Sequence, residues 1–403
     1  MSQHAPQSPR PLPDRPNLRY LRDQAWELLK TGQVASLSEA QFEVARLYGF
    51  ASWPRLKEHV DSMEEVGKLK HAIDTNDFAG LRTLMTRNPE LHRAPLGYGR
   101  NGPLTWVAEC RVPWEPPGAT RLAMAQWMID NGSDLHQGGD GPLMRAALVD
   151  NRIPMMDLLV RNGADLNAEW NGHFPILFAP CETVEPLALR WLLEHGADPH
   201  LPLRRGYDSP LDYVIGTYSR SPRLAQCIDL LASAGCETRR RIPAMLELLR
   251  GRLDLLAAQL DADRSLVHRR FPELDFGSTA YRRLRLNGGT LLHLAAEYGN
   301  LKAARLLLAC GAEINARAVV NEDGVGGQTP IFHAVSQFYD FGLPMTKYLV
   351  ESGADLSIRA RLPGHYERPD EHVECTPLGY ARLFPGGENA TVVFLVAAGA
   401  AEF

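Results

Sequence analysis

Seven times along this chain a leucine-rich run ends on a corner built around glycine. The corners are Asn131-Gly132-Ser133-Asp134, Asn162-Gly163-Ala164-Asp165, His195-Gly196-Ala197-Asp198, Ala234-Gly235-Cys236-Glu237, Cys310-Gly311-Ala312-Glu313, Ser352-Gly353-Ala354-Asp355 and Ala398-Gly399-Ala400-Ala401. Their glycines lie 31, 33, 39, 76, 42 and 46 residues apart. A period near 33 that holds two helices describes a unit too small to bury its apolar face alone, so copies must stack. Glycine is needed at the corner because the backbone turns left-handed after the outer helix, and the Asp or Asn that follows caps the next turn.

A second motif keeps step with the corners. Its tetrads are Gly102-Pro103-Leu104-Thr105, Gly141-Pro142-Leu143-Met144, Phe174-Pro175-Ile176-Leu177, Ser209-Pro210-Leu211-Asp212, Thr290-Leu291-Leu292-His293, Thr329-Pro330-Ile331-Phe332 and Thr376-Pro377-Leu378-Gly379. Proline opens a helix where its missing N–H costs nothing. These tetrads resemble ankyrin repeats, and Leu292 to Asn315 stands close to that family's consensus. The resemblance covers roughly 68–403, and Tyr48 to Pro54 resembles a segment found ahead of ankyrin arrays in bacterial proteins. It implies an all-α, ankyrin-repeat α-solenoid of helix pairs with β-hairpin loops, about nine repeat units in two serial arrays, preceded by a small helical cap. It also implies partner binding through the concave face, and it brings no shared catalytic residues. The tetrad histidine survives once, as His293, where it is expected to tie neighbouring turns.

The chain divides accordingly. Residues 1–16, with five prolines, are expected to be a flexible tail. Residues 17–67 form the helical cap, with Ser38 and Gln41 expected as a capping box and Ser52 capping a third helix. The first array spans 68–238, a divergent helix pair and an Arg-rich finger occupy 239–289, and the remaining repeats fill 290–403.

Composition enters as exclusion. A net charge of −5 argues against a general nucleic-acid surface. Six cysteines without a CxxC pair read as reduced thiols, and the longest apolar run, Val392 to Ala401, is too short to cross a bilayer. The expectation is a cytoplasmic monomer without cofactor or metal, whose partner is a protein or peptide and not nucleic acid or membrane.

The repeat register nominates a surface. In this fold the groove is lined by the residue two before each tetrad proline and those six and seven after it, with a second row three after. For the first array this nominates Asn101, Trp106, Glu109, Cys110, Asp140, Arg145, His173, Phe178, Cys181, Glu182, Asp208 and Tyr213. Arg145 needs a carboxylate, and Glu109, Glu182 and Asp140 are the expected partners. The ring-rich row (Trp106, Phe178, Tyr213, His333, Tyr380) reads either as packing between repeats or as a ligand cage. Enlarged loops at Cys181–Pro186, Thr217–Pro222 and Phe338–Pro344 read as a binding side or as tolerated surface variation.

The finger is the other candidate. Between Arg239 and Leu286 eleven arginines face six acidic residues, and Arg269, Arg270, Arg282, Arg283 and Arg285 are candidate contacts for an anionic partner. No metal-ligand spacing, phosphate loop or nucleophile elbow is present, so the expectation is a non-enzymatic scaffold. The alternative is a binder of a small polar ligand, or an enzyme, using the Glu, Cys and Arg constellation of the first array.

Overall fold

The structure is a computed structural model and describes residues 10–13, 17–96, 101–109, 116–203, 209–277, 282–365, 368, 370–384 and 389–402. The chain forms two compact units, Met1–Gln137 and Gly138–Phe403, so the division falls inside the stretch expected as one first array. Among the described residues the fold is helical, with two short antiparallel hairpins.

The first unit begins with α1 (Leu18–Lys30), α2 (Leu37–Leu47) and α3 (Trp53–Asp74). Their apolar stripes meet in one cluster that includes Leu21, Val44, Leu56 and Val60. Asn17 caps α1 and Ser52 caps α3 through side-chain oxygens. The cap of α2 is Ser36 rather than Ser38: Ser36 Oγ accepts the Glu39 N–H, and Glu39 Oε2 accepts the Ala35 N–H. The helix therefore starts earlier than the Ser38/Gln41 pairing suggests. α3 also runs unbroken through residue 67, because Gly67 keeps a right-handed backbone; the helix stops at Thr75, and the chain turns left-handed at Asn76. The unit continues with α4 (Phe78–Arg87), α5 (Pro103–Glu109) and α6 (Ala119–Asp130).

The second unit is a series of helix pairs: α7 (Gly141–Ala146) with α8 (Ile153–Arg161), α9 (Phe178–Thr183) with α10 (Pro186–Glu194), α11 (Pro210–Gly216) with α12 (Leu224–Ser233), and α13 (Pro243–Leu249) with α14 (Leu253–Ala262). Then follow α15 (Leu291–Glu297) with α16 (Leu301–Ala309), α17 (Pro330–Val335) with α18 (Leu343–Glu351), and α19 (Pro377–Ala381) with α20 (Ala390–Ala397). First helices pack on first helices in the order α13, α15, α17, α19, and second helices follow as α14, α16, α18, α20. Strands β1 (Glu169–Trp170) and β2 (Phe174–Pro175) form one hairpin; β3 (Ala360–Pro363) and β4 (His372–Cys375) form the other, with Ala360 opposite Cys375.

Tetrad prolines open α5, α11, α17 and α19. The third tetrad differs: Phe174-Pro175 pairs as β2 and the helix begins only at Phe178. His293 closes a capping box with Thr290, accepting its N–H at Nδ1, and donates from Nε2 to the Gln328 carbonyl at 3.1 Å. All seven corner glycines have positive φ, between 80° and 103°. Corner aspartates Asp134, Asp165, Asp198 and Asp355 each accept the N–H two residues on. Asn167 and Asn315 reach along the stack to the N–H groups of Asp198 and Asp355, at 2.7 and 2.9 Å.

A Cβ at Gly353 would meet nothing within 4 Å, so only the handedness of its backbone (φ +95°) selects glycine. Gly353→Ala is expected to lower stability by about 1–2 kcal/mol. Gly118→Ala, at φ −71° in equally open space, should be neutral or up to about 1 kcal/mol stabilising. Urea unfolding of the two variants checks the contrast, and equal effects would refute it.

Candidate functional site

The side chains nominated from the first array are placed as follows. Asn101, Trp106 and Glu109 belong to the first unit and are buried. Trp106 donates from Nε1 to Asp74 Oδ1 at 2.6 Å, with the Lys70 ammonium 4.5 Å from its ring centre. That engages the ring with α3. Cys110 and Asp208 lie outside the described residues.

In the second unit, Asp140 is buried with φ 55°, and its Oδ1 accepts the Asp165 N–H at 3.1 Å. It is a backbone brace, not a surface contact. Phe178 and Cys181 are both 0% exposed. Phe178 packs edge-on against Tyr213, with ring centres 5.2 Å apart, and against Phe174 at 6.2 Å. Burial, with Cys227 and Cys236 nearby, pushes the Cys181 thiol far above its usual range, so it offers no thiolate. A fully buried side chain cannot touch a partner, and for Phe178 and Cys181 the packing reading replaces the cage. His173 sits in the turn of the β1–β2 hairpin because the third helix starts late, and its Nδ1 lies 3.0 Å from the Asn171 carbonyl. Half-exposed side chains remain at Arg145, His173, Glu182 and Tyr213. Glu182 Oε1 accepts the Tyr218 hydroxyl at 2.9 Å.

The enlarged loops turn inward. Thr183 Oγ1 donates to the Leu148 carbonyl and Thr217 Oγ1 to the Glu182 carbonyl, each at 2.8 Å and each 35 residues away. Glu185 holds Arg223 through both guanidinium ends. Asp340 accepts the Ala390 and Thr391 N–H groups at the start of α20. Arg220, in the loop after α11, dives towards α15.

There it meets the densest charged constellation among the described residues. Glu297, 0% exposed, accepts Arg220 Nη2 at 2.7 Å on Oε1 and Arg282 Nη2 at 2.6 and 2.7 Å on its two oxygens. His333 Nδ1 lies 2.7 Å from Oε2. Arg220 also donates to the Thr217 and Gly277 carbonyls and covers the Tyr298 ring at 4.5 Å. Burial alone would raise the Glu297 pKa. The guanidiniums of Arg282 and Arg220 and the His333 hydrogen bond outweigh it and hold the group at about 2. Burial lowers His333 despite its carboxylate neighbour, so the ring is neutral and its Nδ1–H is the donor to Glu297. Burial, with His333 nearby, takes His293 down to about 3.

A second cluster lies beside it in sequence. Asp212, fully buried, accepts Arg240 Nη1 and Thr238 Oγ1 at 2.6 Å each, and Arg240 also reaches Asp275 at 2.6 Å. Arg240 and Arg282 thus take two charges of the Arg-rich run into the interior. Arg282, at 1% exposure, cannot serve the anionic partner for which it was nominated. Arg269 lies over the Phe271 ring and Arg270 donates to the Arg317 carbonyl, both from exposed positions; Arg283 and Arg285 are exposed as well.

Glu297 and His333 are both groove or row positions in the repeat register, but nothing local in sequence ties them to Arg220 or Arg282. The available signal was alternation: if Arg282-Arg283-Leu284-Arg285-Leu286 is extended, Arg282 shares a face with the two leucines and turns inward with them, opposite Arg283 and Arg285.

Among the described residues no group of three His, Cys, Asp or Glu side chains is placed to hold a metal ion. No described helix is long and apolar enough to cross a membrane. No curated protein matches the chain. Residues 255–360, from α14 to the first residue of β3, match the family model for ankyrin repeats in three copies, and such repeats are in general protein–protein interaction modules.

Proposed function

We propose that this protein is a non-enzymatic binding scaffold: a repeat solenoid of about nine units behind a small helical cap that recognises a protein or peptide partner. The observation that carries this reading is the ankyrin match over 255–360, set in a longer series of helix pairs with the same corners and tetrads. The groove along the first helices is the recognition surface, with Arg145, His173, Glu182 and Tyr213 as its half-exposed polar contacts. The buried charges support the same reading, because Glu297, Arg220, Arg282, Asp212 and Arg240 are spent on one another and stiffen the junction at 209–297. A rigid surface loses less entropy when a partner docks. The described cysteines are free thiols, four of the five buried, which supports a reducing, cytoplasmic setting.

A photo-cross-linking amino acid placed at Tyr218, beside Glu182, is expected to capture a partner in the native host, and Glu182→Arg should abolish that product. The same reagent at Leu187, exposed on α10, should capture nothing comparable. Capture from Leu187 alone, or from neither position, would overturn the groove reading.

A further inference from the structure

Eight arginines fall between residues 239 and 270, and seven of them are engaged. Arg239 and Arg240 pair with Asp275, Arg250 and Arg252 with Asp229, Arg264 with Asp261, and Arg269 with Glu273. Arg270 donates to the Arg317 carbonyl. The guanidinium of Arg241, exposed between the buried Arg240 and Ile242, makes no hydrogen bond or ion pair with a described residue. An exposed guanidinium without a partner is ordinary on its own, but this one lines a pocket.

The pocket has a volume of about 330 Å³ and lies within the divergent helix pair, between the start of α13, the last turn of α14 and the chain that follows it. α14 ends at Ala262 without a glycine corner; Asp263 instead caps the short helical turn Arg264–Val267, which brings Leu266 to the same pocket as Pro243. Ile242 and Phe271 line the pocket as buried core side chains, while Pro243, Ala262 and Leu266 line it with surface open to solvent. Its polar lining is Arg241, Gln259 and Arg269, and no carboxylate is among the described lining residues. The Gln259 amide is half-buried and makes no hydrogen bond with a described residue. Arg269 lies 5.0 Å from the Phe271 ring centre, and its contact with Glu273 is long, at 3.5 Å.

We infer that this pocket docks an acidic segment of a protein partner, seating one large apolar side chain against Pro243, Ala262 and Leu266 with a flanking Glu or Asp carboxylate on Arg241. The inference rests on the partner-binding reading and assigns the partner's chemistry. Charge complementarity decides the sign: a run of eleven arginines against six acidic residues, in a chain of net charge −5, leaves Arg241 without a counter-charge beside a pocket lined by no carboxylate. A carboxylate supplies that counter-charge and can accept two guanidinium N–H groups at once. The apolar lining decides the rest. A bare phosphate covers none of that carbon surface, whereas a leucine or phenylalanine side chain removes it from water. Gln259 offers a donor and an acceptor to the segment's backbone.

The full chain is titrated into short fluorescent peptides that carry a central Leu or Phe flanked by Glu, and binding is read by anisotropy. Copies with Ala at the centre, or with Gln at the flanks, should bind at least about ten-fold more weakly. Arg241→Glu should weaken binding of the acidic peptides by at least about ten-fold, and Arg241→Gln by less. Ala262→Trp, which fills the pocket without changing charge, should weaken it as well. Lys302→Glu, an exposed cation on α16 outside the pocket, should leave binding unchanged. Circular dichroism confirms that each variant is folded; Arg241 is exposed and unpaired, so its two variants carry the test even where Ala262→Trp does not fold. No binding by the wild type, equal binding of the Ala or Gln copies, or binding insensitive to Arg241→Glu would overturn the inference. Displacement of the peptide by octanoate at matching concentration would overturn it too, by assigning the pocket to a small amphipathic acid. If the Tyr218 cross-link forms while no peptide binds, the pocket assignment fails and the scaffold reading stands. Peptide binding without a Tyr218 cross-link would instead sink the groove and leave the pocket.

Discussion

Glu297→Gln is expected to lower the free energy of unfolding by about 3–5 kcal/mol, the range for removing one partner of a buried ion pair. The carboxylate is fully buried and faces two guanidiniums, Arg282 at 1% and Arg220 at 5% side-chain exposure. Glutamine keeps the shape and one acceptor oxygen but leaves two positive charges in a low-dielectric interior without a counter-charge. Arg220 carries the loop after α11 and Arg282 the finger before α15, so both should loosen when Glu297 is neutral. Stacked repeats can lose cooperativity, and the unfolding curve of the variant should separate into two steps or shift as a whole by that amount. Urea titration followed by Trp fluorescence and far-ultraviolet circular dichroism reads either form. A loss below about 1 kcal/mol would mean that the cluster contributes little to holding the junction, contrary to its burial and geometry.

Acidification should attack the same region first. His293 and His333 are neutral and buried, with folded pKa values below the 6.5 of an exposed imidazole, at about 3 for His293. As pH falls below about 6.5, the unfolded chain takes up protons that the folded chain refuses, so stability falls. Each histidine contributes a slope of about 1.4 kcal/mol per pH unit until its folded pKa is reached. For His293 the window runs from 6.5 to about 3. Glu297 adds a second phase: its folded pKa of about 2 lies below the ordinary 4.5, so its contribution is complete above 4.5 and is lost as pH falls towards 2. Stability measured from pH 8 to 4 is therefore expected to be flat above about 7 and to decline below about 6.5. His333→Gln should make the slope below about pH 6.5 shallower. A profile flat to pH 5, or a His333→Gln slope equal to wild type, would show that these rings are protonated in the folded state.

The repeat register was legible in the sequence because its causes are local. A helix ending on Gly132, Gly163 or Gly353 needs a left-handed residue whatever surrounds it, and a proline at the start of a helix needs only its own missing N–H. The α2 start differs from the Ser38/Gln41 expectation because Ser36 takes the cap, and the third tetrad does not open a helix because Phe174-Pro175 pairs with Glu169-Trp170 as a strand.

The nominated site was less legible. The register placed Phe178 and Cys181 on a groove, but exposure depends on what packs above, and neighbouring repeats cover both completely. Arginine-rich sequence suggested an outward anionic contact for all of residues 282, 283 and 285. The tertiary structure turned Arg282 inward and left Arg283 and Arg285 exposed beside a pocket whose other lining residues include Val319, Gln328, Leu362 and His372.

The chain by itself determined its corners, its helix starts and the spacing at which helix pairs follow one another, because each rests on the conformational limits of one residue and its near neighbours. Only the tertiary structure decided which charges are interior. Glu297 finds Arg282 across 15 residues, His333 across 36 and Arg220 across 77. Each of those pairings depends on long-range packing that removes water from all its members at once, and burial of that kind leaves no periodic mark in a sequence.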